Sequence, residues 1–283
     1  ALSTVGRVLP LVGCARRLRR RGRRWSDGVA GGDATAWTLQ GPRALVAQLL
    51  TLIPPLLSLG TPLIWAATNL EQLAGNLEAD LWQLSLRSLL LALAAAVLAV
   101  VTALLLAIAK RWSEARWLQS LTFLAGMGYA VPGTVLALAL LLTGGPWQLA
   151  PLVLLLWGYG DRFLAVAKGG LDAALERISP SLDEAATGMG FNWQQVLQRV
   201  HLPLLRGPLT VGLLLVFVDT VKELPLTFAL RPFDFDTLSV RVYQYASDER
   251  LAEALLPALM ILVLGLVASM ALVPSLDQAS SKG

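Results

Sequence analysis

Six long apolar stretches constrain this chain more than anything else in it. They occupy about residues 43–67, 82–109, 118–142, 148–168, 207–230 and 252–273, each near the roughly 20 residues that carry a helix across a bilayer. Lipid offers a backbone no hydrogen-bond partner, so such stretches must satisfy their own donors and acceptors, as a helix does. The expected fold class is therefore all-α, a polytopic membrane protein with six transmembrane helices. Composition agrees: 55% of residues are hydrophobic and 15% charged, where a soluble domain carries about 25% charge. One Cys and one His leave no disulfide framework and no soft metal site, so no metal-binding residues are expected. Neither a Gly-x-Ser-x-Gly elbow nor a Gly-x-x-x-x-Gly-Lys-Ser/Thr phosphate loop occurs, which argues against catalysis by this chain.

The intervals between the stretches alternate in basic content. Residues 68–81 hold Glu71, Glu78 and Asp80 with no Lys or Arg, whereas 110–117 hold Lys110, Arg111 and Arg116 against Glu114. Residues 143–147 are uncharged, the interval 169–206 follows Lys168 and holds Arg177, Arg199 and Arg206, and 231–251 is slightly acidic. An arginine block, Arg16 to Arg24, precedes the first stretch. Beside membrane spans a basic run fixes topology rather than binding nucleic acid. The alternation puts both termini and 169–206 in the cytoplasm, with 68–81, 143–147 and 231–251 on the periplasmic side. The chain divides accordingly into a basic cytoplasmic segment (1–42), a transmembrane domain (43–273) and a cytoplasmic tail (274–283).

The stretches are not plain anchors. Pro54, Pro55 and Pro62 interrupt the first, and Gly126, Gly128, Pro132 and Gly133 fall near the middle of the third. Glycine permits close helix approach and proline frees a carbonyl, so these four residues mark a helix break or a close packing site. Asp161 and Arg162 lie in the fourth stretch, and Asp219, Lys222 and Glu223 in the fifth. Charges within a membrane are costly unless paired or hydrated. These five read either as the lining of a translocation path or as a buried ion network locking helices together. Asp219 and Lys222, three residues apart, can pair, and Glu223 then needs another partner. Lys222→Ala is expected to impair transport, either by leaving Asp219 and Glu223 short of counter-charge or by removing a residue of the path.

The most legible polar interval runs from Ser179 to Pro208. Ser179 reads as an N-cap with Pro180 at the first helical position, and Asp183 and Glu184 sit in the first turn. Gly188 and Gly190 end that helix, and Asn192 with Gln195 forms a capping box opening a second. Leu202-Pro203 is expected to stop it. The interval thus predicts a helix, a glycine corner and another helix, with Leu182, Ala185, Ala186, Val196, Leu197 and Val200 available for burial.

These residues also carry a resemblance. Glu184-Ala185-Ala186, three residues, Gly190, nine residues, Val200, one residue, Leu202-Pro203 is similar to the EAA loop of membrane subunits of binding-protein-dependent ABC importers, with Val in place of the family's Ile. The runs GYAVPGTVLA (128–137), RFLAVA (162–167) and VKELPLTFALRPFDFDTLSVRVYQYASDE (221–249) resemble the ferric-iron permease branch. Permeases of that branch carry two six-span halves, each with its own loop. With one loop and a start at Ala1, this sequence resembles the second half, the arginine-rich segment being the inter-half linker.

The resemblance implies a type I ABC importer transmembrane domain in a bacterial inner membrane, with inward transport of ferric iron as its function. Glu184, Ala185, Ala186, Gly190, Val200, Leu202 and Pro203 would form the coupling loop (179–206) that docks on a dimer of cytoplasmic ATPase subunits. ATP and Mg would be held by that partner, with no cofactor on this chain. A periplasmic substrate-binding protein and a second permease half are the other implied partners. Thiamine and phosphonate permeases share much of this architecture. Two other classes remain open: a membrane enzyme using Asp161, Asp219 or Glu223 as acid or base, and a non-transporting scaffold whose loop recruits a cytoplasmic partner.

Overall fold

A computed structural model describes residues 40–69, 80–113 and 115–280, with side chains as far as residue 271. The arginine block, Glu71, Glu78, Glu114 and the end of the tail lie outside the described residues. Among the described residues every regular element is helical. Helix α1 spans Pro42–Thr68, α2 Leu81–Trp112, α3 Arg116–Ala125, α4 Gly133–Gly144 and α5 Pro151–Arg177. Helix α6 spans Pro180–Gly188 and α7 Trp193–Val196, which passes through a π turn at Leu197–His201 into α8, Leu202–Val221. Helices α9 (Pro225–Leu230), α10 (Leu238–Ser247) and α11 (Leu251–Ser280) follow.

The chain divides into two units at Ser58, inside α1. Contrary to expectation, α1 runs through Pro54, Pro55 and Pro62 without interruption. Each proline removes one backbone donor and crowds the preceding turn, but its fixed φ is helical.

In the second unit, α2, α5 and α8 pack around one apolar core. The buried side of α2 is alanine: Ala92, Ala95, Ala96, Ala99 and Ala103 have no exposed surface. Its large residues Leu86, Leu90, Leu93, Val97, Val101 and Leu105 stand outward. This inverts the soluble pattern and fits a hydrocarbon solvent. Hiding leucine from lipid gains little, whereas small side chains let backbones approach and gain dispersion contacts. Leu155, Tyr159, Phe163 and Leu171 of α5, with Leu205 and Val216 of α8, complete this core. A smaller cluster joins Leu81 and Leu84 of α2 to Leu238 of α10 and to Leu256 and Met260 of α11.

Three of the six apolar stretches depart from a plain apolar helix. Among the described residues, four helices are long and apolar enough to cross a membrane: α1, α2, the continuous helix 193–221, and residues 251–271 of α11. The third stretch is a pair, Arg116–Ala130 and Gly133–Gly144, bent by 120°, which makes a fifth span if taken as one. Pro132 accounts for the bend, because the residue before a proline is driven out of the helical region. Val131 (φ −82°, ψ 126°) and Pro132 (φ −56°, ψ 135°) are extended. The fourth stretch forms α5, whose 27 residues reach about 40 Å at roughly 1.5 Å per residue. It carries Asp161, Arg162 and Lys168, too much charge to pass as a plain apolar span. The fifth stretch is helical only to Val221; Lys222 to Leu224 break it and Pro225 opens α9.

Candidate functional site

The polar interval folds as two capped helices around a corner. Ser179 Oγ accepts from the Ser181 N–H at 3.3 Å, and Pro180 begins α6. Asp183 lies in the first turn, with Glu184 one residue beyond it. At the other end the Phe191 N–H donates to the Ala186 carbonyl (3.1 Å) and the Gly190 N–H to that of Thr187 (2.9 Å). That pair of bonds is a Schellman motif, which needs a left-handed residue between the helices. Gly190 supplies it with φ +86°. The Asn192 and Gln195 side chains then bond each other's backbone N–H, both at 2.9 Å, and open α7. Ala186 is buried, Val200 and Leu202 are half-buried, and Glu184, Ala185 and Pro203 are exposed. Three large apolar residues of the loop are also open: Leu182 is 46%, Met189 69% and Trp193 61% exposed.

Leu202-Pro203 does not stop the second helix. The Leu202 N–H bonds the Leu197 carbonyl five residues back. The wide π turn absorbs the donor that Pro203 lacks, and the helix continues to Val221. The second helix of the loop is therefore continuous with α8.

Two residues that sequence reading passes over hold this loop to the membrane helices. Arg111, in the last turn of α2, donates to the Leu175 carbonyl at 2.9 Å and the Ile178 carbonyl at 3.1 Å. Its Nε meets Asp183 Oδ2 at 2.6 Å. One guanidinium thus caps the carbonyl end of α5 and pairs with the acid in the first turn of α6, favourable at both helix ends. His201, fully buried, places Nε2 3.0 Å from Asp183 Oδ1, outside hydrogen-bond geometry. Trp112 packs edge-on against both His201 and Trp193. Beside them Lys110 lies 3.8 Å from Asp172, which also pairs with Lys168. No local pattern announces Arg111, because its partners lie 64 to 72 residues away.

Four of the five charged residues singled out in the fourth and fifth stretches fall into two separate pairs. Arg162 Nε lies 3.7 Å from Glu223 Oε2, and Arg162 Nη1 donates to the Val131 carbonyl at 2.8 Å. Glu223 Oε1 accepts from the Leu226 N–H at 3.3 Å. The Glu223 carbonyl accepts from Thr227 Oγ1 at 2.7 Å and Ser239 Oγ at 3.0 Å, and Thr227 also bonds the buried Tyr159 hydroxyl. Asp219 and Lys222 form a separate pair at 2.9 Å, with the Lys222 side chain 62% exposed. Lys222 is therefore not the counter-charge of Glu223, and the expectation that its loss strands both carboxylates is corrected. Asp161 joins neither pair.

Two of the glycines are close-packed. A Cβ on Gly128 would overlap the Asp161 backbone carbonyl, and one on Gly133 would lie 3.0 Å from Glu223 Oε1. Gly126 is different: its Cβ would meet only carbonyls of its own helix, those of Phe123 at 3.4 Å and Thr122 at 3.8 Å. Pro132 is exposed and makes the bend.

Residues 99–279 match the family described as "Binding-protein-dependent transport system inner membrane component". The chain belongs to that family. This transport-system component is 30% identical over 150 residues to the "Fe(3+)-transport system permease protein FbpB 2" of Haemophilus influenzae, covering 52% of this chain and 29% of the relative. It is 29% identical over 104 residues to the "Ferric transport system permease protein FbpB" of Actinobacillus pleuropneumoniae, covering 34% and 15%. The chain thus spans less than a third of the length of these curated relatives. In fold it is similar to a chain of a bacterial alginate ABC transporter solved with an alginate pentasaccharide-bound periplasmic protein. There the TM-score is 0.63 at 15% identity, over 81% of this chain and 92% of that one. A second structure of a bacterial alginate importer gives 0.59 at 14% identity, over 84% and 95%. The transport-system component is accordingly an all-α, multi-pass membrane protein with the fold of an ABC importer membrane subunit.

Proposed function

We propose that this chain is the membrane-embedded part of an ATP-driven importer that carries ferric iron inward. ATP, with Mg, is hydrolysed on a separate pair of cytoplasmic subunits that dock on the 179–206 loop. A periplasmic binding protein delivers the iron, and a second permease half completes the passage. Both termini and the loop lie in the cytoplasm. The observation that carries this reading is the loop itself. Glu184, Ala185, Ala186, Gly190, Val200, Leu202 and Pro203 keep the spacing of a coupling motif, and Gly190 sits at φ +86° in the corner that this spacing requires. The exposed Met189 and Trp193 of the loop, with the exposed Glu184, supply the apolar and charged side chains that a docking site uses.

The iron assignment is supported by the ferric relatives. The path itself is assigned to the region where the two helix breaks meet, around Arg162, Glu223, Gly128 and Gly133, because irregular backbone at membrane depth is tolerated where it is buried in protein or lines a cavity. The test is uptake of radiolabelled ferric iron by cells lacking the full-length gene and by the same cells expressing it, with radiolabelled thiamine as the comparison. Gene-dependent iron uptake with no change in thiamine supports the reading; gene-dependent thiamine uptake without iron overturns it.

A further inference from the structure

We infer that Arg111 is the positioning residue through which movement of the docked loop is passed to the membrane helices. This rests on the docking role proposed above for residues 179–206.

The geometry points to Arg111 because one side chain joins three separate pieces. Its backbone belongs to α2, the alanine-faced helix at the centre of the core. Its Nη groups hold the carbonyls of Leu175 and Ile178 at the end of α5, and its Nε holds Asp183 of α6. The side chains are largely enclosed, with 14% of Arg111 and 17% of Asp183 exposed. Asp183 in turn faces His201, which sits in the π turn where the loop becomes α8. A displacement of α6 therefore meets α2 and α5 through Arg111, and α8 through the Asp183–His201 contact. Arg111 and Asp183 are not on the open surface that carries Glu184, Met189 and Trp193. Loosening this clamp leaves the docking surface and its continuous helix into α8 intact but lets them move without moving α2 and α5.

Lysine is the informative replacement. Arg111→Lys keeps the charge but has no planar fork to reach two carbonyls and a carboxylate together. Asp183→Asn, of nearly the same shape, removes the charged partner and serves as the second variant should Arg111→Lys fold poorly. The assay uses the complete transporter in proteoliposomes, with ATPase subunits and iron-loaded binding protein. Bound ATPase subunit, ATP hydrolysis and ferric-ion uptake are measured together. The clamp predicts that both variants retain the ATPase subunit and hydrolyse ATP, while uptake falls and ATP consumed per ferric ion rises at least tenfold. An unchanged ratio in both variants overturns the inference, as does loss of the ATPase subunit from both, which is the mark of a merely structural role. Glu184→Lys separates the two levels. If it keeps its ATPase subunit, the docking reading fails and the clamp with it. If it loses the subunit while the Arg111→Lys ratio stays normal, only the clamp fails.

Discussion

Arg162 and Glu223, 61 positions apart in sequence, meet at 3.7 Å and between them tend both helix breaks of the membrane domain. Arg162 satisfies the Val131 carbonyl freed by Pro132, and Glu223 receives the Leu226 N–H at the start of α9. With only 17% and 10% of the two side chains exposed, removing one partner strands a charge, which costs about 3–5 kcal/mol. Arg162→Gln and Glu223→Gln are each expected to lower the thermal stability of the detergent-solubilised protein by that order. The double variant should recover part of the loss, since no unpaired charge remains. Strictly additive losses would contradict a direct pairing.

Lys222 makes the contrasting case. Its side chain is 62% exposed and its partner is Asp219, an arrangement worth about 0–1 kcal/mol. Lys222→Ala should therefore leave thermal stability within about 1 kcal/mol of the parent. A loss matching that of Arg162→Gln would mean that Lys222 serves Glu223 after all.

The glycines near the bend are separable by methyl addition. Gly128→Ala forces a methyl group into the Asp161 carbonyl, and overpacking of this kind costs about 1–3 kcal/mol. Gly126→Ala meets only its own helix at 3.4 Å and should be tolerated. Equal stability of the two variants, by thermal unfolding in detergent, would show that the contact between the Gly128–Ala130 turn and α5 is not tight.

Topology has a direct chemical readout. With Cys14 replaced by Ser, a cysteine at Phe233, the most exposed apolar position of the 231–237 segment, should react with an impermeant thiol reagent in intact cells. A cysteine at the exposed Gln194 should react only after permeabilisation. The opposite pattern would invert the orientation.

What sequence made legible was whatever a few neighbouring residues decide. The Ser179 cap, the Asn192–Gln195 capping box and the positive φ at Gly190 all depend on chemistry within one turn of chain, and each is present. The apolar stretches gave the helices but not their shape. Hydropathy sees neither the 120° bend that Pro132 makes nor the end of the fifth helix at Val221. Leu202-Pro203 misled because a proline's local effect is to end a helix, whereas here a π turn absorbs it. Arg111, His201 and the Arg162–Glu223 pair depend on which helices lie side by side, so the charge of Arg111 could be counted but its partners could not.

Docking of an ATPase on the 179–206 loop is read out by the amount of ATPase subunit that co-purifies with the membrane protein when the corner is broken. At φ +86° valine is strained by its branched Cβ, so Gly190→Val should undo the Schellman corner while the membrane helices still insert. The account predicts normal amounts of Gly190→Val protein in the membrane fraction, with ATPase co-purification reduced at least tenfold. Co-purification equal to that of the parent, at equal membrane levels, would contradict it.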